Sequence, residues 1–163
     1  MIKKIRKTLK TAPTKNYFCL LDTSLNEHEF ENKDNKFIFE SSVLISERRH
    51  ELNKKSSFPG STAPSNTIYQ SDWNGCVSYI PTVEGFLINI SMVKNYDGEA
   101  FDIPLLSALR LLKNWMIRNN EDIAMSKSLF TSLGNNHSKS IEKLIYEVFD
   151  NDDSPTVYIT KSL

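Results

Sequence analysis

The sequence predicts a layered α/β sandwich with a mixed sheet, because strand-like apolar segments alternate with amphipathic helices in its second half. Residues 17–21 (YFCLL) form a continuous apolar run of strand length, which is typical of a strand buried on both faces. Residues 86–92 (FLINISM) alternate as a strand does, with Phe86, Ile88, Ile90 and Met92 on one face. Residues 103–118 carry an apolar stripe at helical spacing, formed by Leu105, Leu109, Leu112 and Met116.

The remaining elements follow in chain order from the same kinds of pattern. Further strands are predicted at 1–6, 67–70, 76–80, 123–125 and 156–160, and further helices at 41–52 and 138–149. Long polar segments are predicted to be loops, at 26–36, 54–66 and 126–137. Asn74 and Gly75 predict a tight turn between two strands, and Pro104 is expected in the first turn of its helix.

Charge and composition argue against several classes of protein. The 163 residues contain 20 Lys plus Arg and 20 Asp plus Glu, so the formal net charge is zero, whereas proteins that track a nucleic-acid backbone carry a basic excess. Membrane spans need runs of about 18 apolar residues, and the sequence has none. The first ten residues lack the apolar core of a secretory signal, and two cysteines are too few for a disulfide framework. We therefore expect a cytoplasmic protein with two buried free thiols.

The common catalytic and cofactor motifs are missing from the sequence. It contains no P-loop, GxGxxG, GxSxG or CxxC motif. The three histidines, at positions 28, 50 and 137, lie in different segments without metal-ligand spacing. No metal and no cofactor are therefore expected. The basic opening is interpreted as the solvated face of an edge element; its charged residues are Lys3, Lys4, Arg6, Lys7 and Lys10.

Residues 126–140 (SKSLFTSLGNNHSKS) form the segment with the clearest indication of a binding site. They follow a predicted buried strand and lead into a helix N-terminus, where free backbone N–H groups and the helix dipole favour anions. Gly134 permits a backbone conformation in which amides approach a phosphate. The alternative is a polar turn that merely caps the helix.

Three stretches resemble the macro domain, the ADP-ribose-binding α/β/α module. The sequence IAMSKSLFTSLGNNHSKSIEKLIYEVFDNDDSPTVYI is similar to that family's last strands, phosphate loop and helix, and the match is best at 141–149 and 156–159. FLINISMVKNYDGEAFDIPLLSALRLLKNW resembles the preceding strand, loop and helix, and MIKKIRKTLKTAPTKNYFCLLDTS resembles the opening of small single-domain members that hydrolyse ADP-ribose derivatives. The resemblance implies a three-layer α/β/α fold with a mixed central sheet, one domain over 1–163, and an ADP-ribose-like nucleotide as ligand.

The resemblance also implies a set of site residues. Ligand contacts are expected from Thr8, Ser132, Leu133, Gly134, Asn135 and Asn136, and catalytic roles from Asp22, Ser24 and Lys94. An active enzyme would be a hydrolase of ADP-ribosyl esters or of the terminal phosphate ester of ADP-ribose. Several of these positions depart from the family pattern. Thr8 stands where the family has an adenine-binding aspartate, the glycine-rich stretch is replaced by NEHEFENKDNK, and Gly134 alone remains in the phosphate loop.

Those departures keep other functions open. A degenerate macro fold could bind or inhibit a protein partner through residues 26–36 and the basic opening. Nucleic-acid binding through the basic opening, with Tyr17, Phe58 and Trp73 as stacking groups, is disfavoured by the zero net charge. The abundance of Lys and Asn is consistent with an AT-rich genome such as that of a phage.

Overall fold

A computed structural model describes residues 1–23, 32–40, 74–151 and 155–163. Its strands are β1 (Ile2–Thr8), β2 (Tyr17–Asp22), β3 (Cys76–Pro81), β4 (Phe86–Met92), β5 (Ile123–Ser126) and β6 (Val157–Lys161). Its α-helices are α1 (Lys33–Glu40), α2 (Gly98–Asn119) and α3 (Ser138–Phe149). The predicted helix at 41–52, the loop at 54–66 and the strand at 67–70 lie outside the described residues, as do Ser24, His28, His50, Phe58 and Trp73.

The strands form one six-stranded sheet in the order β1-β6-β5-β2-β4-β3. All neighbours are parallel except β3 and β4, which pair antiparallel through the short connection at 82–85. The mixed sheet predicted from the sequence is therefore confirmed. Because β2, β4 and β5 run in one direction, their carboxyl ends meet at a single edge of the sheet.

Two hydrophobic clusters cover the two faces of the sheet. The larger cluster joins one face to α2 and α3, and it includes the predicted apolar stripe of α2, whose residues are fully buried. The smaller cluster joins the other face to the Leu9–Thr11 turn and to α1, where Ile38 lies among Tyr17, Leu21 and Leu87. Helices on both faces make three layers, as expected for an α/β/α fold.

The predicted loop at 26–36 is wrong over its last residues, because α1 begins at Lys33. The sequence shows only charged and polar residues here, but Asn32 supplies a cap. Its Oδ1 accepts the N–H groups of Asp34 at 2.9 Å and Asn35 at 3.2 Å. The carboxylate of Asp34 then attaches the helix to Ser126 and Ser128 at the end of β5.

Helix α2 begins at Gly98, five residues before its predicted start, so Pro104 lies inside the helix and not in its first turn. A proline here removes the hydrogen bond to the carbonyl four residues earlier. That carbonyl, Ala100 O, instead accepts a hydrogen bond from Asn74 Nδ2 at 3.3 Å. The turn predicted at Asn74 and Gly75 is present, with positive φ at Gly75 alone, and it packs against the proline.

Candidate functional site

The candidate site lies at the carboxyl edge of the sheet, where β2, β4 and β5 end side by side. Asp22 closes β2, Met92 closes β4 and Ser126 closes β5. In parallel sheets this edge is the usual place for ligands, because loops and helix N-termini converge there. The residues that follow these strands were the ones singled out in the sequence.

Asp22, Lys94 and the phosphate-loop segment meet through hydrogen bonds. Asp22 is buried, and its Oδ1 accepts the backbone N–H of Lys94 at 3.2 Å. The carbonyl of Lys94 faces His137 Nε2 at 2.5 Å, so that nitrogen carries a hydrogen and donates it. The backbone of Lys94 is thus fixed from both sides, while its side chain is exposed at the rim.

His137 makes contacts at this edge that the sequence did not reveal. It is buried, with 4% of its surface exposed, and its ring stacks on Phe101 with 3.9 Å between centroids and 10° between planes. A single histidine in a polar loop has no local pattern that predicts such a contact. Its effect is to join the loop after β4, the start of α2 and the loop after β5.

The loop after β5 is ordered by its own hydroxyl groups. Ser126 Oγ accepts the N–H of Ser128 at 3.2 Å and starts the short 3-10 turn Lys127–Thr131. Ser132 Oγ lies 2.7 Å from Leu129 O and 3.2 Å from Leu20 O, which attaches the loop to β2. Leu133 is buried in the larger core cluster, so it can offer a ligand only backbone groups.

Gly134 has the backbone conformation on which the phosphate-loop prediction depends. Its φ of 99° and ψ of 156° lie in a region that side-chain-bearing residues rarely adopt. A second 3-10 turn, Asn135–His137, follows and leads directly into α3. The first N–H groups of such a turn, those of Asn135 and Asn136, have no acceptor within it, and both residues are exposed. The segment can therefore present N–H donors to an anion.

Asp34 is the second residue that sequence reasoning missed. It comes from α1, is 3% exposed, and its Oδ2 accepts hydrogen bonds from Ser126 Oγ at 2.9 Å and Ser128 Oγ at 2.8 Å. Its Oδ1 accepts the N–H of Leu163 at 3.2 Å. Beside it, between β2, α1 and the loop after β5, lies a cavity of about 10 Å³, which has room for one water molecule.

The macrodomain of Thermus aquaticus DarG superimposes on this chain with a TM-score of 0.51 and 12% identity, covering 98% of this chain and 97% of that one. The chain has the macrodomain fold. A mutant macrodomain of Oceanobacillus iheyensis gives a TM-score of 0.53 at 11% identity, covering 99% of this chain and 84% of that one. No protein-family model and no curated protein sequence matches the chain significantly. At these identities the likeness shows the fold, and it confirms the three-layer prediction.

The macrodomain fold places Thr8 at the same edge as the other predicted site residues but away from them. Thr8 ends β1, and β6 lies between β1 and β5 in the sheet. Two strand spacings therefore separate Thr8 from the loop after β5, a distance on the order of 10 Å.

The residues that the structure describes include both cysteines and the possible metal ligands of this part of the chain. Among those residues no three His, Cys, Asp or Glu side chains gather into a possible metal site. Both cysteines are free: Cys19 is buried as predicted, and its Sγ lies 3.4 Å from Asn89 Oδ1. Cys76 is only half-buried, which corrects the expectation of a second fully buried thiol, and burial raises its pKa. Across the described ranges no helix is long and apolar enough to cross a membrane.

Proposed function

We propose that this chain binds ADP-ribose or a related ADP-ribosyl nucleotide along the carboxyl edge of its sheet. The observation that carries the proposal is the backbone of Gly134, whose φ of 99° begins a short turn directly before α3 in which the N–H groups of Asn135 and Asn136 have no acceptor. Backbone N–H groups at a helix N-terminus bind phosphate without needing a basic side chain. The macrodomain fold of the chain supports the choice of a nucleotide diphosphate among the possible anions.

The proposed ligand would run along the edge from the loop after β5 toward β1. Its diphosphate would meet the N–H groups of Asn135 and Asn136, with the hydroxyl of Ser132 beside them. The nucleoside end would extend toward Thr8, which can offer a hydroxyl where a carboxylate is expected in the family. Asp22 and Lys94 would line the opposite rim. Catalytic roles for these two residues and for Ser24 stay predictions from the family resemblance.

The test is isothermal titration with ADP-ribose on the wild-type chain and on Asn136→Asp. Asn136 is exposed, so the change adds one negative charge beside the phosphates without disturbing the core. We expect wild-type binding and a loss of roughly tenfold or more in the variant, because a like charge near a diphosphate costs at least about 1.4 kcal/mol. The matched control is Asn114→Asp, which makes the same change on the exposed surface of α2.

Thermal unfolding with ADP-ribose, NAD and ATP gives an independent readout. A ligand present at about 100 times its dissociation constant stabilises the folded state by roughly 2.7 kcal/mol. A well-folded wild-type sample that shows neither heat of binding nor a shift with any of the three nucleotides would contradict the proposal. So would equal affinities for the wild type and Asn136→Asp.

Binding of a protein partner is the second candidate function. The basic opening favours it, because its charged residues lie exposed on β1, an edge strand of the sheet; they are Lys3, Lys4, Arg6 and Lys7. In that case Asn136→Asp would leave the function unchanged. A pull-down that captures a partner with both the wild type and Asn136→Asp would favour this function, provided that the nucleotide titrations show no heat of binding.

A further inference from the structure

A second pocket lies on the face of the sheet that α2 and α3 cover, opposite the face that α1 covers. It has a volume of about 190 Å³. Its lining residues come from β1, from β6 and from the 3-10 turn after β5, and they are Lys4, Ile5, Lys127, Phe130, Ile159, Thr160 and Lys161. The face is identified by β6, where Ile159 belongs to the α2 and α3 cluster while the neighbouring Tyr158 packs against the α1 cluster.

The pocket coincides with an irregularity in strand pairing. Lys4 pairs with Ile159, and the next pairing joins Thr8 to Lys161. β1 thus advances four residues while β6 advances two, so β1 bulges outward where the pocket lies. Bulges of this kind change the course of an edge strand and open space beside it. The pocket is therefore a product of the backbone and not of a missing side chain.

The chemistry of the lining has two parts. Ile5, Phe130 and Ile159 supply an apolar surface, and Phe130 packs against the larger core cluster. Three lysines supply positive charge, and the described part of the chain contributes no acidic residue to the lining. Among the residues that the structure describes, no ion pair compensates these lysines. The Nζ atom of Lys4 lies over the ring of Tyr146, 5.8 Å from its centroid. In a chain with zero net charge, this cluster is a local excess.

We propose that this pocket binds a small amphipathic anion, meaning a carboxylate or phosphate ester attached to an apolar group of about ten non-hydrogen atoms. The volume is below the roughly 300 Å³ of common drug-sized sites, which sets the size of the ligand. The apolar group would pack on Phe130 and Ile159, and the anionic group would lie among the lysines. None of its lining residues is among those proposed to contact the nucleotide, so the proposal does not depend on the nucleotide site.

The experiment is an NMR titration of isotope-labelled full chain with phenyl phosphate and benzoate. Inorganic phosphate and benzyl alcohol serve as probes that each lack one half of the ligand. We expect phenyl phosphate and benzoate to shift the amide signals of Lys127, Phe130 and Lys161. Affinity should fall at least about tenfold for either half-ligand, because ring burial and charge pairing both contribute.

Variants test the role of the lysines. The single changes Lys127→Gln and Lys161→Gln should each weaken phenyl phosphate about twofold to fivefold, and the double variant about tenfold, as expected for solvent-exposed charge pairs. Lys36→Gln, an exposed lysine of α1 on the other face, is the matched control and should change nothing. Raising the ionic strength from about 0.05 M to about 0.5 M should weaken binding to the wild type.

Three results would overturn the proposal. The first is the absence of pocket shifts with both amphipathic probes, and the second is equal affinity of the wild type and the double lysine variant. The third is full displacement of phenyl phosphate by ADP-ribose, which would place both ligands at one site. The NMR experiment reads the amide signals of residues 127–130 and 161. A negative result for this pocket therefore leaves the nucleotide test with Asn136→Asp unaffected.

Discussion

Single side chains in this protein complete hydrogen bonds that the backbone leaves open. Asn74 is the clearest case. Its Nδ2 donates to Ala100 O, the carbonyl to which Pro104 has no N–H to donate. Its Oδ1 accepts the N–H of Val93 at 2.9 Å. The adjoining Gly75 fits against the same proline. A Cβ at Gly75 would lie 2.9 Å from Pro104 Cβ and 3.1 Å from Pro104 O, with φ at 80°.

Gly75→Ala should therefore destabilise the fold by roughly 2–3 kcal/mol, the sum of left-handed backbone strain and a close contact. Gly98→Ala is the matched control, because Gly98 also has positive φ, at 52°, but a Cβ there meets nothing within 4 Å. It should cost only about 1–2 kcal/mol. Urea unfolding of both variants measures the difference. Equal losses of unfolding free energy in the two variants would show that the contact with Pro104 adds nothing to the cost of Gly75→Ala.

Helix α1 illustrates an element whose stability comes from elsewhere in the chain. It has eight residues, and helices this short are marginal in isolation. Its described attachments are the cap from Asn32, the packing of Ile38 in the smaller cluster and the bonds from Asp34 to the loop after β5. The predicted loop at 26–36 failed here because the partners of Asp34 lie more than 90 residues away.

Asp34→Asn tests this attachment. All three described partners of the carboxylate are donors, so an amide group would turn an N–H₂ toward at least one of them. We expect a loss of about 1.5–3 kcal/mol in unfolding free energy, the usual value of a hydrogen bond to a charged group. Asp97→Asn, an exposed position with no side-chain cap bond, should change stability by less than about 0.5 kcal/mol. Faster hydrogen exchange of α1 amides in the first variant alone would support the assignment.

At the scale of the whole molecule, the packed layers bury Tyr17 and partly bury Tyr79, and both phenols resist ionisation. Burial raises the pKa of Tyr17 above its ordinary value of 10.0, and the negative charge of Glu84 adds to the effect. Burial also raises the pKa of Tyr79, although Arg118 opposes it. In the unfolded chain these phenols ionise near pH 10, whereas in the folded chain they stay neutral to higher pH. Stability from both groups is thus complete below pH 10 and is lost as the pH rises beyond it.

Alkaline unfolding measures this contribution. The free energy of unfolding should fall more steeply between about pH 9 and about pH 11 in the wild type than in Tyr79→Phe, which cannot ionise. Phenylalanine keeps the stacking on Trp115, where the ring centroids are 5.0 Å apart. Identical pH slopes for the two proteins would contradict the prediction.

Most of the fold was predictable because its elements have local patterns. The apolar run of β2, the alternation of β4 and the stripes of α2 and α3 each identify an element from neighbouring residues alone. The macrodomain resemblance then predicted the layers. At the site, the sequence singled out Asp22, Lys94 and the loop with Gly134, and the structure brings these to one edge.

Tertiary structure alone decided which polar groups meet. Three side chains join segments that are distant along the chain. His137 stacks on Phe101 and bonds to Lys94, Asp34 accepts a hydrogen bond from Ser126, and Asn74 donates one to Ala100. The pocket between β1 and β6 depends on a shift in strand register. The physical reason is that an apolar face can pack against any apolar surface. The spacing of neighbouring residues is therefore enough to predict which face of an element is buried. A buried polar group needs one particular partner, and folding alone brings that partner within hydrogen-bond distance.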